Sequence, residues 1–168
     1  ATPLSPNQAV GLSVAYLDAG KAEVFDNVGA QTSNVNAQQD FLAQASYAHT
    51  LSVPRGTLSL GGSAKVLRSV IFNDLRSIAF AADFGSIYET PVGEGKASAA
   101  LTLSNFGTPI RYSGGIASGG QSDPLPLTTR LGLAYSRQVL SGDSIGLGVQ
   151  VDRVFYNDSL AKSFGLEY

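Results

Sequence analysis

Between residues 125 and 153 the side chains alternate with a period of two, turn, and alternate again. No other stretch restricts the fold as strongly. In the first arm Leu125, Leu127, Leu131, Leu133 and Tyr135 fall on one side with Thr129 among them. Thr128, Arg130, Gly132, Ala134 and Ser136 fall on the other. After a turn through Leu140, Ser141 and Gly142, residues Ile145, Leu147, Val149 and Val151 oppose Gly146, Gly148, Gln150 and Asp152. Alternation of this kind marks paired strands with one apolar face and one polar or small face.

The same pattern recurs along the chain, which reads as one domain over residues 1–168. Residues 1–8, with Pro3 and Pro6, read as a lead-in segment outside any sheet. Val10, Leu12, Val14 and Tyr16 then alternate with Gly11, Ser13, Ala15 and Leu17 up to a turn at 18–20. Residues 21–36 read as a long polar loop with a short strand at 22–25, and a second long strand covers 38–50. Pro54, Arg55 and Gly56 turn the chain into a strand in which Leu58, Leu60, Gly62, Ala64 and Val66 oppose Ser59, Gly61, Ser63 and Lys65. Asn73 and Asp74 turn it back, so that Ile78, Phe80, Ala82, Phe84 and Tyr88 oppose Ala79, Ala81, Asp83 and Gly85. After a turn at 91–95, a weaker strand runs through Ala97, Ala99, Leu101 and Leu103 to Phe106. A second long loop, 107–124, precedes the hairpin, and beyond Asn157 and Asp158 a last strand carries Phe164, Leu166 and Tyr168. The prediction is an all-β, antiparallel, up-and-down meander of about eight strands.

What the apolar face meets is decided by composition, connections and aromatic placement. Only 14% of residues are charged, 19 are glycine and the mean hydropathy is +0.08. No run approaches the eighteen or so apolar residues of a membrane helix, which excludes a helical membrane protein. The formal charge of −2 supplies no basic field for nucleic acid. Cysteine is absent, which excludes a disulfide framework, a thiolate metal site and a cysteine nucleophile. Methionine is absent as well, position 1 included, which reads as a processed chain or a piece of a longer product.

Seven connections join eight such strands. The first, third, fifth and seventh share one rim and include both long loops, while the second, fourth and sixth are short turns. Short turns at one rim and longer loops at the other are the habit of outer-membrane barrels. Tyr47, Tyr88, Tyr135 and Tyr168 lie near the ends of strands running toward the short-turn rim. Tyr16, Phe72, Phe106, Phe155 and Tyr156 lie at the opposite one. Rings with a polar tip favour the boundary between hydrocarbon and water, and strands of about ten residues between two such belts suit a tilted bilayer crossing. The reading is a transmembrane β-barrel or part of a larger one, with the lipid bilayer as first partner. Gly, Ser, Ala and Thr on the other face would underfill a closed eight-stranded wall. That favours a fragment of a larger barrel. A soluble sandwich or lipid-binding barrel is the alternative, and it requires the apolar face to point inward.

Candidate chemistry is sparse. With the sixth connection centred on Ser141, Arg130 and Asp152 lie opposite each other on the inward face as a lumen-side ion pair, and Lys65 and Asp83 form a second. Both pairs are expected to hold the wall together. His49, the one histidine, reads as a hydrogen-bonding group at the rim. Asp18, Glu23, Asp26 and Asp40 cluster near the first long loop in a spacing that fits no compact calcium site. Gly114, Gly115, Gly119 and Gly120 are not followed by the lysine of a phosphate loop, and no serine stands in a nucleophile elbow. No catalytic residue, metal or cofactor is expected, and nothing argues for an enzyme.

Four landmarks, GLSVAYLDAG at 11–20, LSNFGTPIRY at 103–112, DPLPLTTRLGLAY at 123–135 and FGLEY at 164–168, occur in an order and spacing that span nearly the whole chain. In these the sequence resembles the PorV-type outer-membrane barrels, which are related to the FadL transporters. Members of that family are longer, so the resemblance is to a middle portion of the barrel. It implies an outer-membrane protein of a Gram-negative-type envelope, acting in secretion by binding cargo or in passage of hydrophobic compounds. Under that reading the loops at 21–36 and 107–124 meet ligand, cargo or partner. A structural subunit that pairs with copies of itself through strand edges is a second expectation.

Overall fold

The computed structural model describes residues 1–114, 122–140 and 143–168, with nothing stated of the Leu140 side chain. Alternation builds the long strands: β2 (Gln8–Asp18), β5 (Gln38–Val53), β6 (Gly56–Ile71), β7 (Leu75–Val92), β8 (Gly95–Gly107), β11 (Thr128–Leu140), β12 (Asp143–Val154) and β13 (Ser159–Glu167). Four shorter strands lie in the connections or at the edge: β3 (Lys21–Phe25), β4 (Gln31–Asn36), β9 (Ile110–Arg111) and β10 (Ser122–Asp123). With β1 (Thr2–Ser5) they complete an all-β molecule.

The long strands form an antiparallel meander in a nine-stranded sheet of order β1-β2-β5-β6-β7-β8-β11-β12-β13. Among the described residues no ladder joins β1 or β2 to β13, so the sheet is open, as in part of a barrel wall. Turn chemistry sets the register. Val53 faces Gly56 across Pro54 and Arg55, with Arg55 at φ +71°, the type II arrangement of proline followed by a left-handed residue. Val92 faces Gly95 with Gly93 at φ +59°, and Phe72 and Asn73 are both left-handed in the turn from Ile71 to Leu75.

Register then sorts the side chains. Leu131 faces Leu101 and Val151, Leu133 faces Ala99 and Val149, and Val149 faces Phe164, all on one face. The opposite face carries Gly11, Ser46, Ser63, Gly85, Thr102 and Gly132 in the same layers. A trough of about 370 Å³, lined by Gly11, Ser46, Gly61, Ser63, Gly85 and Thr102 among others, hollows that small-residue face. The apolar face is bare: Leu12 is 85% exposed and Phe164 72%. Among the described residues no large side chain is fully buried, and Ala79 is the only buried hydrophobic residue.

Several boundaries differ from the sequence expectation. Residues 1–8 do not stand apart, because β1 pairs with β2 through Thr2–Val10 and Pro3–Ala9. Proline is tolerated there because β1 is an edge strand whose second side needs no donor. Residues 21–36 are a hairpin of β3 and β4, closed by Asp26, whose carboxylate accepts from the backbone N–H of Val28 at 3.0 Å and of Ala30 at 2.8 Å. The arm that begins the 125–153 hairpin enters the ladder at Thr128, although Phe155 N–H still donates to Leu127 O at 2.9 Å. The central strands exceed ten residues, reaching 18 in β7. They overrun the apolar band toward the long-loop rim, where Arg68 and Arg76 stand on the apolar face.

Candidate functional site on the small-residue face

Small side chains leave room over the middle of the sheet, and residues 108–113 and 125–126 fill part of it. Its departure is set by one extra residue. Ala82 faces Phe106 whereas Phe84 faces Leu103, so Ser104 and Asn105 together oppose Asp83 in a β-bulge. Asn105 sits at φ +63°, a conformation that asparagine adopts more readily than most residues. Its N–H, displaced from the ladder, donates to Asp83 Oδ1 at 2.9 Å.

Asp83 is thereby the centre of a small network. Oδ2 accepts from Ser63 Oγ at 2.9 Å and lies 2.6 Å from Lys65 Nζ. Lys65 also donates to Asn105 Oδ1 at 3.1 Å, and Asn105 Nδ2 donates to Pro126 O at 3.1 Å. Thr128 Oγ1 donates to the same carbonyl at 2.9 Å. A partly buried charge pair is favourable only when its remaining hydrogen-bonding capacity is used, and both carboxylate oxygens here have partners. The network ties β6, β7, the β8 bulge and the start of β11 together.

Beyond the bulge the segment runs along the free edge of β7. Thr108 N–H donates to Phe80 O at 2.8 Å, Phe80 N–H donates to Thr108 Oγ1 at 3.0 Å, and Arg76 and Ser113 exchange backbone bonds of 2.9 Å. Tyr112 hydroxyl donates to Ser69 Oγ at 3.2 Å. Ile110, Leu125 and Pro126 roof an apolar cavity of about 290 Å³ over Leu42, Leu67, Ala79 and Ala81, with Lys65 and Asn105 at its polar end. Ser69, Ser77 and Ala79 are buried on this face at the level of the segment. The described part of 107–124 therefore lies against the wall, where the sequence reading had it at the rim. The stretch 115–121, which holds Gly115, Gly119 and Gly120, lies outside the described residues, as do Ser141 and Gly142.

Arg130 and Asp152 are direct partners in the β11–β12 ladder, with Arg130 Nε 3.3 Å from Asp152 Oδ1. Gln150 Nε2 donates to both Asp152 oxygens, at 2.9 and 3.0 Å. This pair shares the face of the Asp83 network but lies nearer the solvent, with the Arg130 side chain 51% exposed.

The aromatic residues lie where strand parity sends them. Tyr47, Tyr88 and Tyr135 are on the apolar face toward the short turns, opposite Gly62, Leu58 and Leu147 respectively, and Tyr168 follows β13. Toward the long-loop rim Tyr16 faces Phe41, which the belt assignment had missed. Phe106 and Phe155 share that face and rim, and Arg153 stacks over the Phe155 ring at 5.2 Å. Phe72 and Tyr156 are exposed in the turns. His49 lies on the apolar face opposite Leu60 and Gln8, its Nδ1 buried without a protein partner.

Asp18 accepts from Gly20 N–H at 2.9 Å, Asp26 closes its own turn, and Asp40 belongs to the opposite face from Asp18. Among the described residues no three His, Asp or Glu side chains converge as metal ligands. Ser63 and Tyr112 are not singled out by the sequence, whereas residues 105–109 are expected from it to shape a strand exit, as the bulge at Asn105 does. No protein-family model matches the chain, and no curated protein matches it.

Proposed function

We propose that this chain is the wall, or part of the wall, of an outer-membrane β-barrel of PorV and FadL type that acts in transport or secretion without catalysis. The observation that carries the reading is inverted burial. Leucines, valines and phenylalanines stand bare across one face, while the only buried hydrophobic residue among those described is an alanine on the other. Soluble proteins rarely leave contiguous apolar patches beyond a few hundred Å² exposed, and hydrocarbon tolerates such a face where water does not. Tyrosines on the same face near the short turns, and Tyr16, Phe41, Phe106 and Phe155 at the other end, suit the two bilayer boundaries. A soluble lipid-binding barrel would require the reverse arrangement.

On this reading the small-residue face lines the lumen, and residues 108–114 and 122–126 narrow it. The apolar cavity under Ile110 and Leu125 favours passage of a hydrophobic compound over capture of secreted cargo. The open sheet supports a second reading, a structural subunit that pairs through its edges. Every residue of β13 is exposed, and among the described residues β2 beyond Val10 has no neighbour on the β1 side.

Folding the chain with and without detergent, followed by sheet content and sedimentation, separates these readings. Sheet formation in micelles with loss of solubility in plain buffer supports the membrane wall. Ordered, concentration-dependent assembly without detergent supports the subunit, and a stable monomer in buffer overturns both.

A further inference from the structure

At the long-loop rim of the apolar face, Tyr16, Gln39, Phe41, Arg68, Asn73 and Arg76 line a pocket of about 260 Å³. Register explains why two arginines share it. Arg68 faces Ile78 and Val70 faces Arg76 across the β6–β7 ladder, so the arginines are diagonal neighbours on one face. Neighbouring guanidinium groups repel unless an anion lies between them. Lys65, Lys96, Arg130, Arg137 and Arg153 each hold a carboxylate. Among the described residues Arg68 and Arg76 have none within 4.0 Å, nor do Lys21, Arg55, Arg111 and Lys162, but of these six only Arg68 and Arg76 line this pocket.

Asp18 is engaged elsewhere, and Asp40 belongs to the opposite face, with its Oδ1 buried and without a protein partner. Asp18 accepts from Gly20 N–H, from Gln39 Nε2 at 3.2 Å and from the Tyr16 hydroxyl at 3.4 Å. Asp40 lines the pocket but is paired in register with Ser69 of the other face, and it accepts from Gln38 at 2.8 Å. Ile78 and Phe80, each 59% exposed, continue from the pocket into the apolar band. Guanidinium and amide donors thus sit directly above an apolar track.

We propose that Arg68 and Arg76 bind the phosphate of an anionic lipid headgroup at this rim, with its acyl chain lying on Ile78 and Phe80. The proposal rests on the membrane reading above and deepens it. Guanidinium forks match phosphate oxygens in pairs, and a weakly hydrated planar cation suits a site at the edge of hydrocarbon. Asn73, which also lines the pocket, is placed to supply a further donor.

The test uses the full chain inserted in phosphatidylcholine bilayers doped with phosphatidylglycerol, gently extracted, with retained lipid read by native mass spectrometry. The wild type is expected to retain phosphatidylglycerol over phosphatidylcholine, and the double variant Arg68→Gln, Arg76→Gln to lose that preference about tenfold. Arg137→Gln, at the short-turn rim, is expected to leave it unchanged. Arg68→Lys with Arg76→Lys, which keeps charge without the fork, is expected to fall between. Displacement of the lipid by inorganic phosphate at equal concentration would overturn the lipid assignment. A chain that inserts with full sheet content yet retains phosphatidylglycerol no better than the double variant overturns this site and leaves the membrane wall standing. Failure to insert in any bilayer overturns both.

Discussion

Lys65 on β6 and Asp83 on β7 are not direct ladder partners, since Lys65 faces Ala81 and Asp83 faces Ser63, yet their charged groups meet at 2.6 Å on the small-residue face. The diagonal reach places the ammonium where it also touches Asn105, the residue that turns the chain out of β8. One ion pair therefore joins the wall to the segment lying over it.

Asp83→Asn keeps the size of the side chain but removes the charge that Lys65, Ser63 and the Asn105 N–H all address. It is expected to destabilise the fold by about 2 kcal/mol, with Lys65→Met costing less because Asp83 keeps its other two donors. Urea unfolding in micelles, followed by sheet signal, ranks the two. A larger loss for Lys65→Met would mean that the carboxylate does not organise the bulge.

For Arg130 and Asp152 the same geometry carries less energy, because half of the Arg130 side chain is open to solvent. A double-mutant cycle with alanine at each position is expected to give a coupling below about 1 kcal/mol, falling with added salt. A coupling of about 3 kcal/mol would show that the pair is desolvated.

Gly107 ends β8 where the backbone passes close to Phe80, and a Cβ built there would collide with the Phe80 carbonyl oxygen. Gly107→Ala is expected to cost about 1–3 kcal/mol. At Gly132 the nearest atom to such a Cβ is Val149 O at 3.9 Å, so Gly132→Ala is the matched control and is expected to unfold like the wild type.

Ile110 roofs an apolar cavity whose polar lining side chains, Lys65 and Asn105, are already paired with Asp83 and Pro126 O. Ile110→Asp is expected to release residues 108–113 from β7 while the sheet persists, raising trypsin cleavage after Arg111 about tenfold. Equal cleavage in both proteins, with sheet content retained, would show that the segment is not held by this contact.

Much of the wall was legible because strand registry follows from turn position. Arg130 and Asp152 are equidistant from Ser141, so locating the turn located the pair, and the long strands that Pro54, Asn73 and the 91–95 stretch separate occur in that order. The connections were less legible. Asp26 closing a hairpin through side-chain bonds to Val28 and Ala30 is ordinary turn chemistry, and it was obscured by the polar, weakly periodic composition of 21–36. Pro3 argued against a strand because only an edge accepts it, and edge position is a property of the whole sheet. The fold of 105–113 onto β7 depends on one left-handed Asn105 and on a carboxylate 22 residues upstream, a long-range bond that no local pattern encodes.

The central claim is that hydrocarbon covers the face carrying Val149 and that Gln150 points away from it. The chain contains no tryptophan, so single substitutions Val149→Trp and Gln150→Trp give unambiguous fluorescent reporters on adjacent positions with opposite parity. In bilayers containing lipids brominated along the acyl chains, emission from Val149→Trp is expected to be strongly quenched and that from Gln150→Trp to be nearly unaffected. Quenching confined to Gln150→Trp, or absent from both in a chain with full sheet content, would contradict the account.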